Sequence, residues 1–114
     1  MKDKISFEHL GLSQRVMDAI YKKGFEEPSS IQALTIPAML RNDTNIIVRA
    51  QTGTGKTAAF GLPLIEMINP QQKSVQALII TPTRELAIQV SEEISSLKGD
   101  SGIQVIPYLR GAVN

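Results

Sequence analysis

The apolar and polar positions that follow Ser13 recur at helical spacing. Val16, Met17 and Ile20 fall on one face of a helix, and Gly24 stands where such a helix would end. Serine is a favoured N-cap residue because its side-chain oxygen accepts a hydrogen bond from the first helical turn. The pattern therefore predicts an amphipathic helix that begins after Ser13 and ends near Gly24.

A second helix is predicted after the loop Pro28-Ser29-Ser30, with Ser29 or Ser30 as its N-cap. Its apolar positions include Ile31, Leu34 and Met39. Proline has no backbone N–H, and its ring clashes with the preceding turn. We therefore expect Pro37 to kink this helix or to shorten its regular part.

Two further helices are predicted in the second half of the chain. One runs from Thr57 to about Ile68, and we expect Pro63 to interrupt it. The other begins at Thr83 and has a polar outer face. Its apolar stripe consists of Leu86, Val90, Ile94 and Leu97.

Three apolar runs between the helices predict strands at residues 45–49, 75–81 and 103–109. The run 75–81 is almost continuously apolar, which is typical of a strand covered on both faces. Strands that alternate with helices predict parallel pairing. The expected fold class is therefore α/β, with a parallel sheet flanked by helices. Three strands are few for such a sheet, so we expect a truncated domain.

Composition restricts the possible chemistry. The 114 residues have a net charge of +1, so any nucleic-acid contact must come from local groups. The absence of cysteine excludes disulfides and thiolate metal sites, and the single histidine, His9, argues against a zinc site. The sequence has neither an apolar run of membrane-spanning length nor a signal-peptide core, and we expect a cytoplasmic protein.

The clearest functional pattern is residues 50–57, Ala-Gln-Thr-Gly-Thr-Gly-Lys-Thr, between a predicted strand and a predicted helix. Gly53 and Gly55 allow positive φ angles and a close approach to anionic oxygens. Backbone N–H groups of the loop and of the helix N-terminus would then face phosphates. Lys56 would reach the β- and γ-phosphates, and the Thr57 hydroxyl would ligate Mg²⁺. The alternative interpretation is a glycine-rich turn without a ligand.

Two further segments flank this loop: Gly-Phe-Glu-Glu-Pro-Ser-Ser-Ile-Gln at residues 24–32 and Pro-Thr-Arg-Glu-Leu-Ala at residues 82–87. With the loop, they resemble the Q motif, motif I and motif Ia of the DEAD-box RNA helicases, in that order. Ala50 stands where the generic loop has glycine, and it matches this family's motif I. The resemblance covers essentially the whole chain. It implies that residues 1–114 are the N-terminal portion of a RecA-like helicase ATP-binding domain of the P-loop NTPase type.

The resemblance implies ATP or ADP, with Mg²⁺, as cofactors. Gln32 would offer its carboxamide to the N6/N7 edge of adenine, Phe25 would stack on the base, and Phe7 would pack beneath that loop. The remaining nucleotide-binding residues would be Ala50, Gln51, Thr52, Gly53, Thr54, Gly55, Lys56 and Thr57. Among these, Lys56 and Thr57 are the expected catalytic residues, and Thr57 is the expected Mg²⁺ ligand. Alternatively, Gln32 is an ordinary polar residue on an exposed helix turn and Phe25 is a plain core aromatic.

The resemblance also implies RNA as a partner, contacted along its sugar-phosphate backbone without reading of bases. The expected RNA-binding residues are Pro82, Thr83, Arg84, Glu85 and Gly111. Backbone amides near Arg84 would hold a phosphate, although an exposed ion pair between Arg84 and Glu85 is the alternative. The family has a glycine pair where Arg110 and Gly111 stand. Arg110 therefore either hinders close approach of RNA or adds a phosphate contact of its own.

The 114 residues contain no Asp-Glu-Ala-Asp segment, no Ser-Ala-Thr segment and no second RecA-like domain. We therefore expect a fragment of a DEAD-box RNA helicase that binds nucleotide at most. One alternative is a non-enzymatic module that binds nucleotide or RNA. Another is a different P-loop enzyme such as a small kinase, although an arginine-rich lid segment is missing. The resemblance also implies that strand 45–49 is flanked in the sheet by strands that come later in sequence. Without them its edges would lack neighbours, so we expect self-association, strand exchange or marginal stability as a monomer.

Overall fold

A computed structural model describes residues 5–49 and 55–109. Within these ranges the chain forms a short 3-10 helix, Phe7–His9, and four α-helices. The α-helices are α1 (Gln14–Lys22), α2 (Ser30–Arg41), α3 (Lys56–Met67) and α4 (Arg84–Leu97). No helix in the described ranges is long and apolar enough to cross a membrane. The predicted ligand contacts of residues 50–54 and of residues 110 and 111 lie outside the described residues.

Three side-chain N-caps set the starts of α1, α2 and α4. Ser13 Oγ accepts a hydrogen bond from the Val16 N–H at 3.5 Å. Ser29 Oγ accepts from the Gln32 N–H at 3.3 Å, and Thr83 Oγ1 accepts from the Leu86 N–H at 3.1 Å. Each cap satisfies an N–H group that has no partner within its own helix. The predicted cap at Ser13 is confirmed, and the choice between Ser29 and Ser30 is settled for Ser29. The helix predicted to begin at Thr83 begins at Arg84, with Thr83 as its N-cap.

Both prolines lie inside regular helices. Pro37 and Pro63 each stand four residues before the end of their helix, α2 and α3 respectively. The predicted interruption at Pro63 is therefore wrong, and Pro37 does not shorten α2. A proline removes one backbone hydrogen bond, and the surrounding packing can hold the remaining ladder in place. Pro63 is fully buried, which is consistent with that explanation.

The buried core lies between the helices, with α3 in contact with α1, α2 and α4. Gly61 in α3 permits the close approach of α4, because a Cβ at that position would lie 3.3 Å from Ile94 Cγ1. The predicted stripe of α4 is buried at its last three positions, whereas Leu86 is exposed. The core residues are Phe7, Leu10, Val16, Met17, Ile20, Ile36, Ala58, Leu62, Ile65, Val90, Ile94, Leu97 and Ile103.

The three predicted strands are not formed in the described part of the chain. Residues 45–49, 75–81 and 103–109 are assigned to neither helix nor strand. Most of the large apolar side chains in 75–81 are exposed, so the prediction that this run is covered on both faces is wrong for this structure. A strand needs a neighbour to bond its backbone N–H and C=O groups, and the described residues supply none. The predicted parallel sheet is therefore not confirmed.

Candidate nucleotide-binding site

The N-terminus of α3 is built to attract an anion. Gly55 is the N-cap, with φ 78° and ψ 30° in the left-handed region, which glycine adopts without steric cost. Lys56 and Thr57 follow in the first turn, where no acidic residue is present. The first N–H groups of a helix lack intrahelical partners and carry partial positive charge. Together with the exposed Lys56 ammonium, they favour binding of a negatively charged group at this end of α3.

Gln32 joins the start of α2 to the start of α3. Its Oε1 accepts a hydrogen bond from the Ser29 N–H at 3.0 Å, and with the Ser29 cap this forms a capping box. Its Nε2 donates to the Gly55 carbonyl oxygen at 3.3 Å. Gln32 is 7% exposed, so the interpretation of this residue as an exposed polar side chain is wrong. The structure thus brings together two residues that were predicted to contact nucleotide at different places.

The contact with Gln32 leaves no room for a side chain at position 55. A Cβ built on Gly55 would overlap Gln32 Nε2 and would lie 3.6 Å from Ser29 Oγ. Glycine is therefore required here both by the positive φ angle and by the approach of the carboxamide. Close approach of a phosphate was the predicted reason for glycine at position 55, and the contact with Gln32 is a second one.

The carboxamide of Gln32 keeps part of its hydrogen-bonding capacity. A carboxamide has two N–H donors and two acceptor lone pairs, and the bonds to Ser29 and Gly55 use one of each. One N–H and one lone pair of the same planar group have no partner among the described residues. This pair is complementary to the N7 acceptor and the N6 donor of adenine.

Phe25 packs on Phe7 beside the Gln32 segment. The two rings are stacked, with centroids 6.5 Å apart and an interplanar angle of 20°. Phe7 is buried in the core, as predicted, whereas Phe25 is half-buried. Phe7 therefore supports one face of the Phe25 ring. The packing matches the core-aromatic interpretation of Phe25, and its predicted stacking on a base stays a prediction.

A cavity of about 570 Å³ lies between α2, α3 and residues 44–48. Lys56 contributes to its lining, so the cavity adjoins the N-terminus of α3. Thr35 also lines it, and the Thr35 hydroxyl is buried without a hydrogen-bond partner among the described residues. Thr35 was not predicted as a site residue; its only signal in the sequence is a hydroxyl within a predicted apolar helix.

The predicted RNA-binding segment forms the N-terminus of α4. Pro82, Thr83, Arg84 and Glu85 are exposed. The Thr83 hydroxyl caps its own helix through the Leu86 N–H, which uses part of its capacity for other ligands. Helix α4 packs on α3. The segment at residues 82–85 and Gly55 therefore stand at the N-termini of two helices that share one core.

Known proteins resemble this chain over both the Gln32–Gly55 contact and the N-terminus of α4. A DEAD/DEAH box helicase family model matches residues 29–113, which include Gln32, the start of α3 and the start of α4. The chain belongs to the DEAD/DEAH box helicase family. The DEAD-box ATP-dependent RNA helicase CshA of Geobacillus kaustophilus is 54% identical over 106 residues. That alignment covers 93% of this chain and 22% of the helicase.

Solved structures of similar proteins have the same backbone course over the matched residues. A DEAD box protein from the hyperthermophile Methanococcus jannaschii matches with a TM-score of 0.81 and 49% identity, over 88% of this chain and 27% of that one. Dbp5 of S. cerevisiae bound to RNA and ADP BeF3 matches with a TM-score of 0.81 and 40% identity, over 86% of this chain and 25% of Dbp5. The chain thus spans about a quarter of the length of these two proteins.

Proposed function

We propose that this chain is the ATP-binding portion of a DEAD-box RNA helicase whose whole protein couples ATP hydrolysis to RNA unwinding. The observation that carries the proposal is the hydrogen bond from Gln32 Nε2 to the Gly55 carbonyl oxygen at 3.3 Å. This bond holds the Gln32 carboxamide, which can pair with adenine, against Gly55, the residue that precedes Lys56 and Thr57. Family membership supports the same assignment.

Adenine selectivity follows from the two hydrogen-bonding positions that remain on Gln32. Its free N–H would donate to adenine N7, and its free lone pair would accept from the N6 amino group. Guanine presents acceptors at both N7 and O6, so the free lone pair of Gln32 would meet a second acceptor. We therefore expect ADP and ATP to bind in preference to guanine nucleotides.

The described residues at the start of α3 fit a phosphate group and Mg²⁺. The first N–H groups of α3 have no partner within the helix and carry partial positive charge, and Lys56 supplies a cation. Thr57 supplies a hydroxyl that would hold Mg²⁺, and the ion would neutralise phosphate charge. Residues 50–54 would complete the phosphate-binding loop.

The test is a calorimetric titration of ADP and GDP against the wild type and Gln32→Glu. The carboxylate retains an acceptor for the Ser29 N–H but loses the N–H donors of the amide. We expect the wild type to prefer ADP, and we expect Gln32→Glu to bind ADP more weakly because its carboxylate cannot donate to adenine N7. Gln71→Glu, an exposed change of the same charge, is the matched control and should behave as the wild type. Equal affinity of the wild type for ADP and GDP would refute the adenine assignment.

For the 114-residue chain alone, we propose nucleotide binding without turnover. The sequence has no Asp-Glu-Ala-Asp segment to position an attacking water, and phosphoryl transfer depends on such positioning. RNA-stimulated phosphate release that disappears in Lys56→Ala would contradict this proposal.

We also propose that RNA contacts the N-terminus of α4 through phosphates. The support is the exposure of residues 82–85 together with the RNA present in the similar Dbp5 structure. Helix N-termini bind phosphate through backbone amides, and arginine adds a charged donor. Such contacts hold RNA without selecting its sequence.

The parallel sheet remains a proposal as well. Residues 45–49, 75–81 and 103–109 have strand-forming sequences, and the similar solved structures are α/β helicase domains of the RecA-like type. We propose that these segments become strands where backbone partners are available. Protection of their amides from hydrogen exchange in a longer chain, without protection in the 114-residue chain, would support this.

A further inference from the structure

We draw no further inference here: the strongest candidate, the cavity of about 570 Å³ between α2, α3 and residues 44–48, adjoins the nucleotide site already described, and its wall at Asn45, Ile46 and Val48 belongs to a segment that is proposed to become a strand in a longer chain.

Discussion

Gly55 carries two independent constraints, and the substitution Gly55→Ala tests both. Its φ of 78° lies in the left-handed region, and a Cβ there would overlap Gln32 Nε2. Alanine must therefore adopt an unfavourable backbone conformation and also displace the Gln32 carboxamide. Displacement breaks the side-chain bonds of Gln32 to the Ser29 N–H and to the Gly55 carbonyl oxygen. We expect a substantial loss of stability from this small change.

The two constraints contribute differently to the free energy of unfolding. The left-handed conformation costs a non-glycine residue about 1–2 kcal/mol, offset in part by the lower entropy of the unfolded alanine chain. This leaves a backbone contribution of about 1 kcal/mol. Loss of two hydrogen bonds at about 0.5–1.5 kcal/mol each adds about 1–3 kcal/mol. The total expected for Gly55→Ala is thus about 2–4 kcal/mol.

Gly24→Ala is the matched control for the backbone contribution. Gly24 has a φ of 84°, and an added Cβ meets no atom within 4 Å. Gly24→Ala should therefore lower the free energy of unfolding by about 1 kcal/mol, because only the backbone contribution applies. Urea unfolding, followed by the circular dichroism of the helices, measures the free-energy cost of Gly55→Ala and of Gly24→Ala. The comparison requires that the slope of unfolding free energy against urea concentration is the same in the wild type and in both variants.

A double-mutant cycle with Gln32→Ala separates the steric contribution. Once the Gln32 carboxamide is absent, Gly55→Ala should cost about 1 kcal/mol, so the two substitutions should be coupled by about 1–3 kcal/mol. Additive effects in the cycle would refute the contact between Gln32 and Gly55. A cost of Gly55→Ala no larger than that of Gly24→Ala would refute it as well.

Three further predictions concern other parts of the chain. Thr35→Val replaces a buried hydroxyl that has no partner among the described residues, so it should raise the urea midpoint by the equivalent of about 1 kcal/mol; a lower midpoint would contradict this. The hydrogen bond from the Tyr21 hydroxyl to Glu8 raises the pKa of Tyr21 above 10.0, so its contribution to stability is present below pH 10.0 and is lost as the pH rises through the raised value. Tyr108→Phe leaves Tyr21 as the only tyrosine, so ultraviolet titration then reports the pKa of Tyr21 alone. In this background Glu8→Gln should lower the pKa of Tyr21, and an unchanged pKa would exclude the Glu8 hydrogen bond as the cause. Arg84→Ala should weaken binding of unrelated single-stranded RNAs by similar factors. It should also lower the slope of log affinity against log salt concentration by about 1. A loss of affinity that depends on RNA sequence would instead indicate contacts with bases.

The helices were predictable because their signals are local. Ser13, Ser29 and Thr83 each cap a helix through an N–H three residues later, so the whole interaction lies within four residues of sequence. The effect of Pro63 was not predictable in the same way. Whether a proline interrupts a helix depends on the packing around it, and that packing comes from distant parts of the chain.

The bond between Gln32 and Gly55 was also not predictable from local pattern. The two residues lie in separate motifs, and the resemblance implied a nucleotide contact for each without implying a contact between them. Their bond depends on how α2 packs against α3. The strand predictions were wrong for a related reason. Residues 75–80 have side chains that favour a strand, but a strand also needs a backbone partner that local sequence does not specify.

The double role of Gln32 decides how its variants must be interpreted. Removal of the whole side chain in Gln32→Ala would abolish the capping bond, the bond to Gly55 and any contact with adenine together. A loss of nucleotide affinity in that variant would therefore not show that Gln32 contacts the base, because the Gly55 loop would also lose its anchor. Gln32→Glu keeps the capping acceptor but, like Gln32→Ala, loses the donor to the Gly55 carbonyl oxygen. If the side chain at position 32 contacts the base, Gln32→Ala should remove the preference for ADP over GDP, whereas Gln32→Glu should retain it, because its carboxylate would accept from adenine N6 and face the acceptors N7 and O6 of guanine. The same ratio of ADP to GDP affinity in both variants would mean that Gln32 acts on nucleotide through Gly55 alone.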